Sequence, residues 1–110
     1  MIIRILNILK PKEGMSFTEF QERLYRHTEL AKTNLKLMER YELTPSSSKP
    51  GEPPKCYAAE LYYPDFKSFS ADFSTEEGKK VVEDGQSFAE VTTYRLDEAN
   101  KVLIHRVIQQ

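Results

Sequence analysis

Residues 2–9, Ile-Ile-Arg-Ile-Leu-Asn-Ile-Leu, decide which kind of sheet this chain can form. A strand with one solvated face alternates polar and apolar residues, whereas a strand covered on both faces is apolar throughout. Both alternating sets are apolar here, apart from Arg4 and Asn7. We therefore predict a strand that needs cover on both faces and that is ended by Pro11 and Gly14. The two sets are Ile3, Ile5 and Leu9 on one face, and Ile2, Leu6 and Ile8 on the other.

The next segment predicts a helix, a second strand and a loop. Ser16 and Glu19 have the spacing of a capping box, in which each side chain binds a free backbone N–H. We expect the helix to run from Ser16 to about residues 31–33. Residues 45–54 are rich in proline and serine and predict a loop. Between helix and loop, the second strand is predicted by the alternating residues Leu35, Leu37, Tyr41 and Leu43.

The second half of the chain repeats this order. Residues 56–63 predict a third strand, and Asp65 is placed to cap a helix whose apolar residues are Phe66, Phe69 and Phe73.

A further helical segment follows directly. Ser74 and Glu77 have the spacing of a second capping box, and Gly85 is the expected end of this helix. Residues 88–96 and 101–108 then predict two more strands joined by a hairpin connection.

The order of these elements defines the fold class. Two split βαβ units followed by an extra strand predict an α+β protein with a ferredoxin-like antiparallel sheet and helices on one face. A chain of 110 residues accommodates one such domain, over residues 1–110. The uncovered sheet face would expose apolar side chains, and a second copy that packs its sheet on the first would bury them. The sequence thus predicts a homodimer in which the two sheets form a barrel.

Composition restricts the partners. Sixteen basic and seventeen acidic residues give a net charge of −1, which argues against binding to nucleic acid. RNA-recognition domains share this order of elements, but residues 56–63 lack the basic residue that such domains carry on their central strands. Residues 2–9 are too short to span a bilayer, and no signal-peptide cleavage site follows them, so no membrane partner is expected. Cys56 is the single cysteine, which excludes an internal disulfide, and we expect a soluble cytoplasmic protein.

Several short segments occur in an order and spacing typical of a known family. They are Lys10-Pro-Lys-Glu-Gly14, Met15-Ser-Phe-Thr-Glu-Phe20, Tyr25-Arg-His27, Arg40-Tyr41, Ala59-Glu-Leu-Tyr-Tyr63, Phe73-Ser-Thr-Glu-Glu-Gly78 and Glu83-Asp-Gly-Gln-Ser-Phe88. Over about residues 1–90 the chain resembles the EthD-like proteins of the dimeric α+β barrel superfamily. It departs from the family where Thr28-Glu-Leu30 replaces a proline that usually follows the helix-one histidine.

This resemblance implies a type of function. EthD-like proteins are associated with the degradation of ethyl tert-butyl ether beside a cytochrome P450 system, and relatives on the same fold include small monooxygenases. Many of these relatives bind an apolar organic molecule between sheet and helices. We therefore expect an EthD-like protein that binds or acts on a small apolar organic compound, with oxidoreductase chemistry or ether and aromatic degradation as the context. The alternative is a ligand-binding or accessory homodimer without activity of its own.

His27 is the candidate catalytic residue. It lies beside the apolar helix stripe of Phe20, Leu24 and Ala31, and the resemblance assigns it to the family's helix-one histidine. An imidazole in a pocket accepts or donates a proton near neutral pH. The alternative is a buried histidine that is satisfied by a carbonyl or a carboxylate. An enclosed cavity at His27 would favour the catalytic interpretation.

Four tyrosines and a glutamate are candidate substrate-binding residues. A phenol offers an apolar ring and one hydrogen-bonding group. Alternation along the third strand puts Tyr57 and Tyr63 on one face and Tyr62 on the other. Sheet packing and dimer contacts are the alternative role of the tyrosines. Glu60 shares the face of Tyr62, and if Glu60 and Arg4 both face the cavity they would pair and bind a polar head group; an edge or interface ion pair is the alternative. The tyrosines are Tyr41, Tyr57, Tyr62 and Tyr63.

The sequence indicates neither a cofactor nor a metal. His27 and His105 are the only histidines, and with Cys56 they give no metal-ligand spacing. There is no glycine-rich phosphate loop or nucleotide-binding motif. His105 is expected to be a packed or interface residue.

Overall fold

The computed structural model describes residues 2–47 and 49–96, together with the backbone of residues 102–108. Five strands and three helices follow one another along the chain. They are β1 (Ile3–Pro11), α1 (Phe17–Asn34), β2 (Arg40–Ser46), β3 (Cys56–Tyr63), α2 (Phe66–Ser74), α3 (Glu76–Phe88), β4 (Ala89–Leu96) and β5 (Val102–Ile108).

The strands form one antiparallel sheet in the order β2-β3-β1-β4-β5. The strand β1 is central, and β5 adds an edge beyond the four strands of the ferredoxin-like arrangement. The three helices pack on the sheet face that carries the odd-numbered residues of β1 and β3, and the core lies between them. The predicted α+β ferredoxin-like fold is confirmed. No helix within the described residues is long and apolar enough to cross a membrane.

Most predicted elements form, and their caps explain where they begin. The Ser16 side chain accepts a hydrogen bond from the Glu19 N–H at 3.1 Å, as the first capping box predicts. Asp65 caps α2 by accepting from the Ser68 N–H at 2.7 Å. The third strand has the predicted bounds.

Three predicted boundaries near the second strand are wrong. Helix α1 continues to Asn34, and the Leu35 N–H still donates to the Ala31 carbonyl, so Leu35 caps the helix instead of starting a strand. The strand β2 begins at Arg40 and extends through Pro45 and Ser46. It reaches into the predicted loop because it lies at the edge of the sheet, where a proline is tolerated.

The prediction that Ser74 caps the third helix is also wrong. Ser74 is the last residue of α2, and Thr75 caps α3 by accepting from the Gly78 N–H at 2.9 Å. Gly85 does not end α3, which continues to Phe88, so β4 begins at Ala89. The predicted hairpin connection at 97–100 and the side chain of His105 lie outside the described residues.

Candidate functional site

A cavity of about 540 Å³ lies between the sheet and the helices. The central strands form one wall and α1, α2 and α3 form the other. The cavity is large enough for a small organic ligand, and its walls are mainly apolar. The principal apolar side chains are Ile5, Leu9, Leu61, Phe69, Phe73 and Val81.

His27 is brought to this cavity by the apolar stripe of α1. The stripe faces the sheet, so the imidazole is buried with only 10% of its side chain exposed. Its Nδ1 lies 2.9 Å from Oδ2 of Asp84 on α3, and its ring meets the Phe88 ring edge-on at 5.6 Å. Within the described residues, Nε2 has no hydrogen-bond partner and is not sealed from solvent. The imidazole is therefore held through one nitrogen and free at the other.

Gly85 provides the space beside this imidazole. A Cβ atom at position 85 would lie 3.2 Å from Cε1 and 3.5 Å from Nε2 of His27. The glycine lines the same cavity, one helical residue after Asp84. Helices α1 and α3 pack closely here, which explains why this glycine lies inside a helix rather than at its end.

Burial lowers the pKa of His27 below its ordinary value, because desolvation penalises the charged imidazolium. The hydrogen bond and the charge of Asp84 act in the opposite direction and raise this pKa, but burial has the larger effect. The imidazole is accordingly neutral at pH 7. With Asp84 accepting the Nδ1 proton, Nε2 carries the lone pair and can accept a proton.

Tyr41 also lines the cavity, from β2. Its hydroxyl lies 3.5 Å from the Thr28 hydroxyl on α1. Burial raises the pKa of Tyr41, so the phenol stays protonated. Of the predicted site residues, His27 and Tyr41 are the two that the structure brings to this cavity.

Tyr57 and Tyr63 share the helix-facing side of β3, but both pack into the core outside the cavity. The Tyr57 hydroxyl accepts a hydrogen bond from Gln21 Nε2 at 3.0 Å. The Tyr63 hydroxyl donates to Oδ2 of Asp72 at 2.8 Å, and burial together with this carboxylate raises the pKa of Tyr63. Their hydroxyl groups thus have partners within the protein.

Tyr62 and Glu60 lie on the opposite, open face of the sheet. The Tyr62 hydroxyl donates to Oε2 of Glu60 at 3.0 Å, and Arg4 Nη1 lies 3.3 Å from the same oxygen. The Arg40 guanidinium stacks over the Tyr62 ring at 4.0 Å. Arg4 and Glu60 do pair as the sequence suggested, on the face away from the cavity.

Two polar residues that complete the strand wall of the cavity were not predicted from the sequence. Asn7 on β1 and Thr93 on β4 are paired across the sheet, and Thr93 Oγ1 donates to Asn7 Oδ1 at 2.7 Å. Asn7 interrupts the apolar set of Ile5 and Leu9, and this was the available signal. No comparable signal marked Asp84, because its link to His27 spans 57 residues.

The described residues contain no group of three or more His, Cys, Asp or Glu side chains that could hold a metal ion. No residue of the cavity wall is assigned to a cofactor.

A protein-family model for the EthD domain matches residues 12–92. The chain belongs to the EthD family. A solved EthD-family protein of Bacillus halodurans C-125 has 22% identity and a TM-score of 0.76, with 89% of this chain and 99% of that one covered. Among curated proteins, no relative matches this chain.

Two further solved structures share the fold of this EthD-family chain. A mutant form of SnoaB from Streptomyces nogalater, described as a cofactor-independent oxygenase, has a TM-score of 0.68 at 11% identity and covers 94% of this chain and 98% of its own. A dimeric protein of unknown function with a ferredoxin-like fold, from Bacteroides fragilis NCTC 9343, has a TM-score of 0.66 at 10% identity and covers 87% and 95%. At these identities the likeness establishes the fold alone.

Proposed function

We propose that this EthD-family protein binds a small, mainly apolar organic molecule in the cavity and uses His27 to move a proton on it. The observation that carries the proposal is the buried His27–Asp84 pair in the cavity wall, in which His27 Nε2 has no hydrogen-bond partner among the described residues. The apolar walls stabilise the bound molecule, and one positioned base can take a proton from it.

The proposed chemistry is general base catalysis. Asp84 accepts the Nδ1 proton and fixes the tautomer, so that Nε2 takes a proton from the bound molecule. The lowered pKa keeps His27 neutral and ready to accept at pH 7. The positive charge that then develops on the ring is stabilised by Asp84, in the way a carboxylate supports an imidazolium in other acid–base sites.

An oxygenase context agrees with this step. SnoaB, which shares the fold, is described as a cofactor-independent oxygenase. Removal of a proton from a carbon acid gives a carbanion, and a carbanion is a substrate on which molecular oxygen can act without a cofactor. Oxidation of an organic compound after deprotonation is thus the oxidoreductase chemistry that we propose, and a role in ether or aromatic degradation is a narrower form of it.

We also propose that the functional unit is a homodimer. The open sheet face presents Leu6, Ile8 and Ala58, flanked by Tyr62 and Tyr94, and these apolar side chains are only half-buried in the single chain. A second copy that covers this face would bury them. The Bacteroides fragilis protein of the same fold is described as dimeric.

Light scattering at micromolar concentration tests the dimer. We expect twice the chain mass for the wild type and the single-chain mass for Ile8→Asp, which puts a charge in the middle of the open face. Tyr25→Asp is the control, because Tyr25 is 56% exposed on α1, away from that face. A monomeric wild type would exclude the dimer.

A ligand screen with proton exchange tests the proposed activity. Aromatic ketones, phenols and ethers are screened by thermal shift, and ligands that bind are incubated in deuterium oxide while the loss of their C–H signals is followed by proton NMR. We expect accelerated exchange with wild type and with Glu22→Gln, an exposed residue of α1. His27→Gln should bind the same ligand without accelerating exchange. Exchange that is equally fast in His27→Gln would refute His27 as the base. If wild type binds ligands and accelerates the exchange of none of them, the protein is the non-catalytic binder instead.

A further inference from the structure

The strand wall of the cavity contains a polar pair in otherwise mainly apolar surroundings. Asn7 and Thr93 are partners on the two adjacent strands β1 and β4, and both line the cavity. Their neighbours on the same face include the apolar residues Ile5, Leu9 and Val91. Arg95, the next residue of β4 on this face, stacks over the Phe66 ring at 4.1 Å and is not part of the cavity wall. A polar group in such a wall is unfavourable unless it forms hydrogen bonds, which makes the partners of this pair informative.

Within this pair, the Asn7 carbonyl oxygen has a hydrogen-bond partner and the Asn7 amide nitrogen has none among the described residues. The Thr93 hydroxyl donates to Asn7 Oδ1 at 2.7 Å, which fixes the carboxamide. Asn7 Nδ2 carries two N–H donors. No described residue accepts from them, and the nitrogen is not sealed from the cavity. Exchanging the amide oxygen and nitrogen would leave the Thr93 hydroxyl as the free donor, so either arrangement offers the cavity an unpaired donor.

We propose that Asn7, positioned by Thr93, binds the oxygen of an enolisable ketone or a hydroxyarene, and that this oxygen belongs to the molecule on which His27 acts. The inference rests on the proposed function and names its substrate class. In the ketone case, His27 Nε2 takes a proton from the carbon beside the carbonyl, and the electron pair of that C–H bond moves to the oxygen. The Asn7 N–H donor then meets an oxygen of growing negative charge, and hydrogen bonds to charged oxygens are about twice as strong as neutral ones.

The charge of the cavity favours this class over carboxylates and phosphates. The described residues that line the cavity include no lysine or arginine, so a ligand with a permanent negative charge would be desolvated without a counter-charge. A ketone or phenol enters as a neutral molecule. An aliphatic ether has no acidic C–H bond for His27, so this site fits an oxidised or aromatic compound better than the ether.

Paired ligands test the assignment. The probes are 2-tetralone, which has the carbonyl oxygen, and tetralin, which lacks it. Wild type should bind 2-tetralone more tightly than tetralin, and Asn7→Leu should reduce this preference about 3- to 10-fold, the effect of one lost hydrogen bond. Thr93→Val should reduce the preference in the same direction and Thr93→Ser should restore it, since serine keeps the hydroxyl. Thr92→Val is the control, because this neighbouring hydroxyl lies on the other sheet face.

The outcomes separate this inference from the proposed function. An unchanged preference in Asn7→Leu, with tetralin binding intact, would overturn the oxygen site even where His27→Gln still abolishes proton exchange. Loss of proton exchange in His27→Gln, with the preference for 2-tetralone retained in that variant, would support both the oxygen site and the role of His27. A wild type that binds neither probe, or that binds both equally well, would overturn the oxygen site, whereas the proposed function is decided by the wider ligand screen. Thermal unfolding of each variant identifies any substitution that fails to fold, and for Asn7 the conservative variant Asn7→Ser then replaces Asn7→Leu.

Discussion

Replacing Asp84 by alanine separates the two effects that set the chemistry of His27. In the wild type, Asp84 accepts the His27 Nδ1–H at 2.9 Å, and its side chain is 34% exposed whereas that of His27 is 10% exposed. The substitution leaves a nearly buried N–H donor without its acceptor. An unsatisfied buried donor costs about 1–3 kcal/mol, and water can reach this edge of the site, so we expect a loss of about 1–2 kcal/mol in the free energy of unfolding. For a domain of this size, Tm should fall by about 5–10 °C.

The same substitution changes the pKa of His27 in a fixed direction. Burial lowers this pKa, and both contributions of Asp84 raise it, so removing the carboxylate leaves burial unopposed. We expect the pKa of His27 to fall below its wild-type value in Asp84→Ala. The imidazole should then become a weaker base, with slower proton exchange on a bound ligand at neutral pH.

Two measurements check these expectations. NMR titration of the histidine Cε1–H signals is simple because the chain has two histidines, and His27→Gln assigns them. Urea unfolding gives the free energy. The control is Glu83→Ala, which removes an exposed carboxylate one residue away on the same helix. A His27 pKa that does not move, together with unchanged stability in Asp84→Ala, would refute the assignment of Asp84 as its positioning residue.

Three other changes have definite expected outcomes. The free energy of unfolding should fall between pH 7 and pH 5 more steeply in wild type than in His27→Gln. The pKa of His27 is lower in the folded protein than its unfolded value of 6.5, so the unfolded chain binds more protons in this pH range. Parallel pH curves from urea titrations of the two proteins would contradict this. Asp72→Ala should lower the free energy of unfolding by about 3–5 kcal/mol, because the buried carboxylate accepts hydrogen bonds from the Tyr63 hydroxyl and the Leu37 N–H. Tyr63→Phe should lower it by about 1–2 kcal/mol, since one hydrogen bond is lost. A larger loss in Tyr63→Phe than in Asp72→Ala would contradict this order. Gly78→Ala should lower Tm because its Cβ would collide with the Asp72 carbonyl, although alanine is more favourable than glycine in a helix by about 1 kcal/mol. A raised Tm would show that the backbone between α2 and α3 can shift to accommodate the Cβ.

Element types were predictable where the local pattern was strong. The strand β3 has its predicted bounds because the chain turns at both of its ends, and Ser16 and Asp65 start their helices through contacts within three residues. The errors occur where tertiary packing overrides a local signal. Gly85 stays helical because the space it leaves is filled by the His27 ring.

Local sequence patterns set the order of strands and helices, the two-sided apolar character of β1 and the position of His27 on a buried helical stripe. These properties depend on residue periodicity and caps, which act over a few neighbouring residues. Which polar groups come into contact depends on the packing of the whole chain. The strand order set Asn7 beside Thr93, 86 residues away, and the packing of α1 on α3 set His27 beside Asp84, 57 residues away. The sheet also separated Tyr41 from Tyr62 onto opposite faces. Such pairings follow from how helices and strands pack over the whole chain, and no local pattern encodes them.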